Sequence, residues 1–401
     1  MNILYIHQYF KTPDIPGGTR SYWNSLELIK NGHTVTVIRY DQTITNKVER
    51  KTIQGINIIS LNIKYSQYMG VLSRLQAFLS FMVKSTLIGL REKNIDLVIA
   101  TSTPLTVGFP ALVLNKMKGI PYIFEVRDLW PEVPIQMGAL NNKLVIKLAR
   151  WFERTIYKNA SHIIALSPGM KKGVIETGIN EDKVAMIPNM AKIDKFYIRE
   201  HHLETAEKFK INGDTFKIIY FGALGEANAI EYILEGAELL KNHHDIEFLF
   251  IGYGPKEAII LNAIEEKGLK NVTHLGVFNM EITSEIVNMC QVSLVTFGNL
   301  PILATNSPNK LFDSLSAGKP ILVNSPGWTK DLVETQECGL YVDPNSPKDL
   351  ADKIIFLKNN PELLQQMGAN SRKLAETKYD KSILCREFSS VVDNVQRMIE
   401  K

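Results

Sequence analysis

Short apolar runs alternate with helix-length amphipathic stretches along almost the whole chain. An open parallel sheet flanked by helices is the arrangement that best accommodates this alternation. In the first half the runs are Ile3–Ile6, Val35–Ile38, Ile56–Leu61, Leu97–Ala100, Tyr122–Val126 and Ile163–Leu166. Helices are predicted between them, for example over Arg20–Asn31 and Lys143–Lys158. Gly32 stands where the first of these would stop, because glycine takes a left-handed cap readily. Ala191–Asp214 then forms a polar connector with some helical potential, in which His201 and His202 are expected to be solvated. A second series follows, with strands predicted at Lys217–Phe221, Glu247–Ile251, Val272–Leu275, Val292–Val295 and Ile321–Val323. Its helices are predicted over Ala229–Lys241, Lys256–Lys267, Lys310–Ala317, Pro347–Lys358 and Pro361–Thr377.

A chain of 401 residues exceeds one typical core. The expected class is therefore α/β, with two Rossmann-like halves: residues 1–190, residues 191–378, and a last amphipathic segment over 379–401. Ligands of such sheets bind beyond the carboxyl ends of the strands, so two facing halves would hold one in the cleft between them. The net charge of +4 permits anionic substrates or lipid headgroups and does not indicate a nucleic-acid binder. Three scattered cysteines, Cys290, Cys338 and Cys385, exclude a disulfide framework and show no zinc spacing. The start MNILYIHQYF lacks the layout of a secretory signal, so a reducing, cytoplasmic compartment is expected.

The most apolar stretch, Val71–Leu90, is interrupted by Arg74, Gln76 and Lys84 and reads as an amphipathic helix rather than a membrane span. Val71, Leu72, Leu75, Phe78, Leu79, Met82 and Val83 are expected to pack on the sheet. In the alternative, Phe81 and Ile88 lie outside that stripe and touch a bilayer. Lys143, Lys147, Arg150, Arg154 and Lys158 recur at helical spacing, as a solvated face or as a contact for anionic headgroups.

Four motifs sit at predicted strand ends. Gly17 and Gly18, opening the first helix, allow close backbone approach of a phosphate or sugar, or make an ordinary turn. They do not form GxGxxG, and the second strand ends at Arg39-Tyr40-Asp41, which disfavours a dinucleotide site. Glu125-Val126-Arg127-Asp128-Leu129-Trp130-Pro131-Glu132 places ionisable groups after an apolar strand. They face a cleft, with Arg127 on a diphosphate and Asp128 accepting a hydroxyl proton or orienting Arg127, or they form an internal salt-bridge cluster. Gly222, Ala223, Leu224 and Gly225 follow the first strand of the second half and suit a phosphate cradle or a plain turn. In Ser307-Pro308-Asn309-Lys310-Leu311-Phe312-Asp313, Ser307 or Asn309 can cap a helix. Lys310 opposes that helix's dipole unless an anion is bound, and Asp313 is within reach of a ribose diol. His7 ends the first strand, as a cleft residue or a structural one.

In this order the motifs resemble the family 4 glycosyltransferases. The resemblance runs through Gly17-Gly18, IIALSPGMKKGVIETGI, Ile187-Pro188-Asn189, KIIYFGALGEANAIEYILEGAELL, Ile251-Gly252-Tyr253-Gly254-Pro255 and PNKLFDSLSAGKPIL. More narrowly, TSTPLTVGFPALVLNKMKGIPYIFEVRDLWPE resembles the N-acetyl-L-fucosamine transferase-like subfamily of bacterial O-antigen and capsule synthesis. The resemblance implies the GT-B fold and retaining transfer of a hexosyl group from a nucleotide sugar, commonly UDP-linked, without an essential metal. It implies a lipid-linked or saccharide acceptor at the cytoplasmic membrane face, held by the first domain. The second domain would hold the nucleotide, with Gly252, Tyr253, Gly254, Val277 and Phe278 flanking the base, and the last helix would cross back to the first domain.

The chain departs from the family pattern at several points. Ala223 and Asn228 stand near the places of a diphosphate-binding Arg and Lys, Thr305 at that of a first glutamate, and Arg127 where a His commonly precedes Asp128. Lys310 and the backbone amides around Gly222–Gly225 and Ser307–Lys310 would replace the missing clamp. A UDP-sugar 2-epimerase and a catalytically silent GT-B scaffold are the other two readings.

Overall fold

A computed structural model describes residues 1–66, 68–200, 202–211 and 213–400. His201, one of the two connector histidines, lies outside the described residues. Among the described residues fourteen strands form two sheets. The first sheet holds β1 (Asn2–Ile6), β2 (Thr34–Tyr40), β3 (Val48–Ile53), β4 (Ile56–Leu61), β5 (Leu97–Thr101), β6 (Tyr122–Val126), β7 (His162–Ala165) and β8 (Val184–Met186), in the order β3-β4-β2-β1-β5-β6-β7-β8. All its pairings are parallel except β3 with β4. The second holds β9 (Phe216–Phe221), β10 (Ile246–Ile251), β11 (Val272–Gly276), β12 (Val292–Val295), β13 (Ile321–Val323) and β14 (Gly339–Tyr341), all parallel, in the order β11-β10-β9-β12-β13-β14.

β1 and β9 hold equivalent places, each at the point where strand order reverses, so the loops after them open into a crevice. β1, β5, β6 and β9 are almost wholly buried, as expected for parallel strands covered on both faces. One apolar cluster fills the first lobe and continues into the second through Ile302, Leu303, Leu311 and Phe312. Two further clusters cover the faces of the second sheet.

The chain crosses from the first lobe to the second after β8 and returns beside that crossing. Ala191 N donates to Tyr379 O (2.7 Å) and Lys381 N to Ala191 O (2.9 Å). The helix Lys381–Ile399 then packs on the helix Arg20–Lys30, where Phe388 stacks against Tyr5 with ring centroids 6.4 Å apart.

Val71–Arg91 is a helix, turned opposite to expectation. Ala77, Phe81, Ser85, Thr86 and Gly89 face the sheet, while Val71, Leu72, Leu75, Leu79, Val83 and Leu87 are exposed. The reason is space. A Cβ on Gly89 would stand 2.9 Å from a Leu114 methyl, so at that turn the neighbouring helix Gly108–Lys118 leaves no room for a larger side chain. Phe81 is fully buried and is thus excluded as a lipid-touching residue.

Candidate active site

The two sets of strand ends face each other across a cavity of about 1000 Å³. From the second lobe it is lined by Gly222, Ala223, Gly252, Tyr253, Val277 and Phe278, and by Ser307, Pro308, Asn309, Lys310 and Asp313. From the first lobe come Gly17, Gly18, Arg127 and Asp128, with His7, Tyr9, Tyr40 and Tyr65, and from the segment crossing between the lobes comes Lys192.

The glycines at the floor are required by the backbone. Gly222 and Gly252 have φ of +134° and +149°, and a Cβ on Gly252 would stand 1.8 Å from the Gly222 carbonyl oxygen. This close approach brings the ends of β9 and β10 together beneath Lys310. Lys310 lies in the first turn of the helix Asn309–Ser316, whose N-cap is Pro308 and which no side chain caps. Leu311 N donates to Pro308 O (3.2 Å), and the N–H groups of Asn309 and Lys310 are available to a ligand. Ser307 does not cap this helix, because its hydroxyl accepts from Asn189 N (3.2 Å). The Lys310 ammonium sits 3.8 Å over the Tyr220 ring and 3.4 Å from Asn228 Oδ1, with no carboxylate partner among the described residues. Burial pushes its pKa down to about 7.

One turn on, Asp313 pairs with Lys192 at 2.6 Å. Burial raises the Asp313 carboxyl above the usual range, and Lys192 works against that shift. No sequence motif marks Lys192. It lies in a polar connector, and only folding brings it to Asp313.

Across the gap, Arg127 Nη1 donates to His7 Nε2 (3.2 Å), and Thr103 Oγ1 donates to Asp128 Oδ2 (2.6 Å). Burial first, then the Arg127 charge, holds His7 well below the usual imidazole range, so it is neutral and accepts from Arg127. Burial raises the Asp128 carboxyl, while the Thr103 hydrogen bond and Arg127 act the other way. The lobes touch at the cleft's edge: a Cβ on Gly18 would lie 3.1 Å from Asn309 Nδ2 and 3.4 Å from Arg127 Nη2.

Several predicted site residues do not present side chains to the cleft. Glu125 is fully buried, accepting from Arg20 Nε (2.7 Å) and Thr101 Oγ1 (2.9 Å). The acidic–aromatic loop thus divides: Glu125 serves an internal ion pair, Glu132 pairs with Arg150 on the outside, and Arg127 and Asp128 face the cavity. Leu224 and Leu311 are buried in apolar cores, because each follows cleft-facing residues on an element whose next position turns inward. Gly225 and Gly254 lie behind the lining, where Gly225 starts a short turn at Glu226–Asn228 and Gly254, at φ +152°, shapes the chain after Tyr253. No group of three or more metal-ligating side chains occurs among the described residues.

Two protein-family models match the two halves. Residues 17–190 match the one described as "Glycosyl transferase 4-like domain", and residues 203–374 the one described as "Glycosyl transferases group 1". The chain is a GT-B glycosyltransferase. The glycosyltransferase is 25% identical over 327 residues to the Escherichia coli K12 protein named "Putative colanic acid biosynthesis glycosyl transferase WcaI", covering 79% of each chain. Among solved structures it resembles sucrose-phosphate synthase from Thermosynechococcus elongatus (TM-score 0.79, 15% identity, 99% of each chain). It also resembles Anabaena HepE in complex with UDP-glucose (TM-score 0.70, 14% identity, 98% of this chain and 100% of that one). At these identities the two structures establish the fold of the transferase.

Proposed function

We propose that the protein transfers a hexosyl group from a nucleoside-diphosphate sugar, UDP-linked, to a saccharide or lipid-linked acceptor in bacterial surface polysaccharide synthesis, with retention at the transferred carbon. The observation that carries this reading is Lys310, a buried ammonium without a carboxylate partner among the described residues, beside the close-packed glycines and above an uncapped helix start. A cation so placed is costly in the absence of an anion, and a diphosphate supplies one.

The nucleotide's diphosphate lies over Gly222 and Ala223, its ribose diol at Asp313, and its base between Tyr253 and the Val277-Phe278 segment. As the glycosidic bond breaks, charge grows on the leaving diphosphate. The Lys310 ammonium and the backbone amides of Asn309 and Lys310 are already oriented to stabilise it. Lys192 fixes the Asp313 carboxylate so that its free lone pairs meet the diol. Arg127 and Asp128 face the sugar from the first lobe, where the acceptor hydroxyl arrives. The leaving phosphate takes the acceptor's proton on the same face, which accounts for retention. WcaI's printed role in colanic acid synthesis and the UDP-glucose bound to HepE support the polysaccharide and the UDP parts of this reading.

Calorimetry with UDP-, GDP- and dTDP-sugars tests it. The expected result is binding of one UDP-sugar, weakened at least about tenfold, or about 1.4 kcal/mol, in Lys310→Ala and in Asp313→Ala. Absence of binding by every donor in the panel overturns the reading.

A further inference from the structure

We infer that the outer face formed by the helices Val71–Arg91 and Lys143–Asn159 docks on a bilayer containing anionic phospholipid. The first helix turns its large apolar side chains outward. Leu72 is 76% exposed and Val71 66%, and Leu75, Leu79, Val83 and Leu87 continue the same face. Its 21 residues include no Asp or Glu. Soluble proteins seldom leave so continuous an apolar stripe in water without a partner for it.

The second helix repeats the pattern with charge added. Leu144, Val145, Leu148 and Trp151 are exposed, Trp151 at 64%. Beside them on the helical wheel run Lys143, Lys147, Arg154 and Lys158, none in an ion pair among the described residues, with Arg150 held by Glu132. The helix Gly108–Lys118 packs against both helices, so all three occupy one side of the first sheet. Phe109 and Phe152 meet across one of these contacts at 6.5 Å. An apolar stripe, a tryptophan and a basic border are what the interface of an anionic bilayer attracts. A second copy of the chain is a poor occupant, because a two-fold contact on this face would bring the two basic borders together.

The face also reaches the cleft. Phe78, on the first helix, stacks against Tyr65 of the cavity wall (6.0 Å) and meets Trp130 of the Arg127–Asp128 loop edge-on (6.4 Å). An acceptor anchored in the bilayer would therefore meet the catalytic gap beside its own lipid surface. This last step rests on the glycosyl-transfer reading; the docking itself does not.

Co-sedimentation of the 401-residue protein with sucrose-loaded vesicles tests the docking. Phosphatidylcholine vesicles with added phosphatidylglycerol are compared with phosphatidylcholine alone. The expected result is salt-sensitive binding to the anionic vesicles. That binding should weaken at least about tenfold in Leu72→Glu/Leu79→Glu and in Lys143→Glu/Lys147→Glu, with circular dichroism and UDP binding unchanged. Wild-type protein left in the supernatant overturns the proposal, as does binding that neither double variant weakens. A wild-type dimer that the leucine variant dissociates, without vesicle binding, assigns the face to a second copy and overturns it too. Because vesicle binding is read without donor or acceptor, its failure and the failure of UDP-sugar binding are separate results.

Discussion

Lys310 is a charged group in a surrounding of aromatic rings and one amide oxygen, and its pKa of about 7 follows from burial. An unfolded lysine titrates near 10.5, so between about 7 and 10.5 the unfolded chain binds the extra proton. The burden on the native state is full below about 7 and lifts as pH rises towards 10.5. Lys310→Met is therefore expected to raise the melting temperature at neutral pH, with a gain that shrinks in alkali, while lowering kcat by about a hundredfold or more. Thermal melts across pH and steady-state rates check the two halves of that prediction. A bound diphosphate restores the charge, so UDP binding at pH 8 should take up a proton and weaken as pH rises further. Calorimetry in buffers of different ionisation enthalpy reads the uptake directly. Lys310 was legible in the sequence because a cation in a helix's first turn contradicts the dipole. Lys192 was not, since its pairing with Asp313 is set by tertiary structure and leaves no local mark.

At the scale of elements, the parallel strands announced themselves as apolar runs, while β3, β8 and β14 did not. β3 reads VERKTI, with three charged residues in six, as suits the edge of a sheet paired on one side only. β8 (VAM) and β14 (GLY) are three residues each, too short to show a period, and lack the run of large branched side chains that marks the equally short β13 (ILV). The direction of the helix Val71–Arg91 was also hidden. Its apolar stripe is visible in the sequence, but which face turns inward is set by packing on the neighbouring helix, where Gly89 meets Leu114, and leaves no local mark. The strand-end glycines carry a sharper consequence. Gly252→Ala would need both a left-handed φ and a Cβ inside the Gly222 carbonyl, so it should destabilise the second lobe by about 3 kcal/mol or more, read as a lower denaturation midpoint. Gly32, at φ +84° with nothing near its would-be Cβ, should tolerate alanine far better.

The whole molecule closes its first lobe with the end of its own chain. Leu384, Phe388, Val392 and Val395 belong to the same apolar cluster as β1. Phe388→Ala should cost about 3–5 kcal/mol. Because this helix caps the first sheet, chemical denaturation should show the loss in the first lobe's transition, with UDP affinity unchanged while the protein stays folded. The two crossings between lobes lie side by side at Ala191 and Asp380. Arg20 fixes one of them, donating to the carbonyls of Ile187 and Pro188 while it holds Glu125. That clamp ends at Pro188, so an opening swing would turn about the short crossing just beyond it, where Asn189 bonds Ser307 and Ala191 bonds Tyr379 and Lys381. Displacement grows with distance from the pivot. Lys192, in the crossing itself, would keep its grip on Asp313 through the swing, whereas the approach of Gly18 to Asn309, which links the lobes across the gap, would part and admit the donor from the rim.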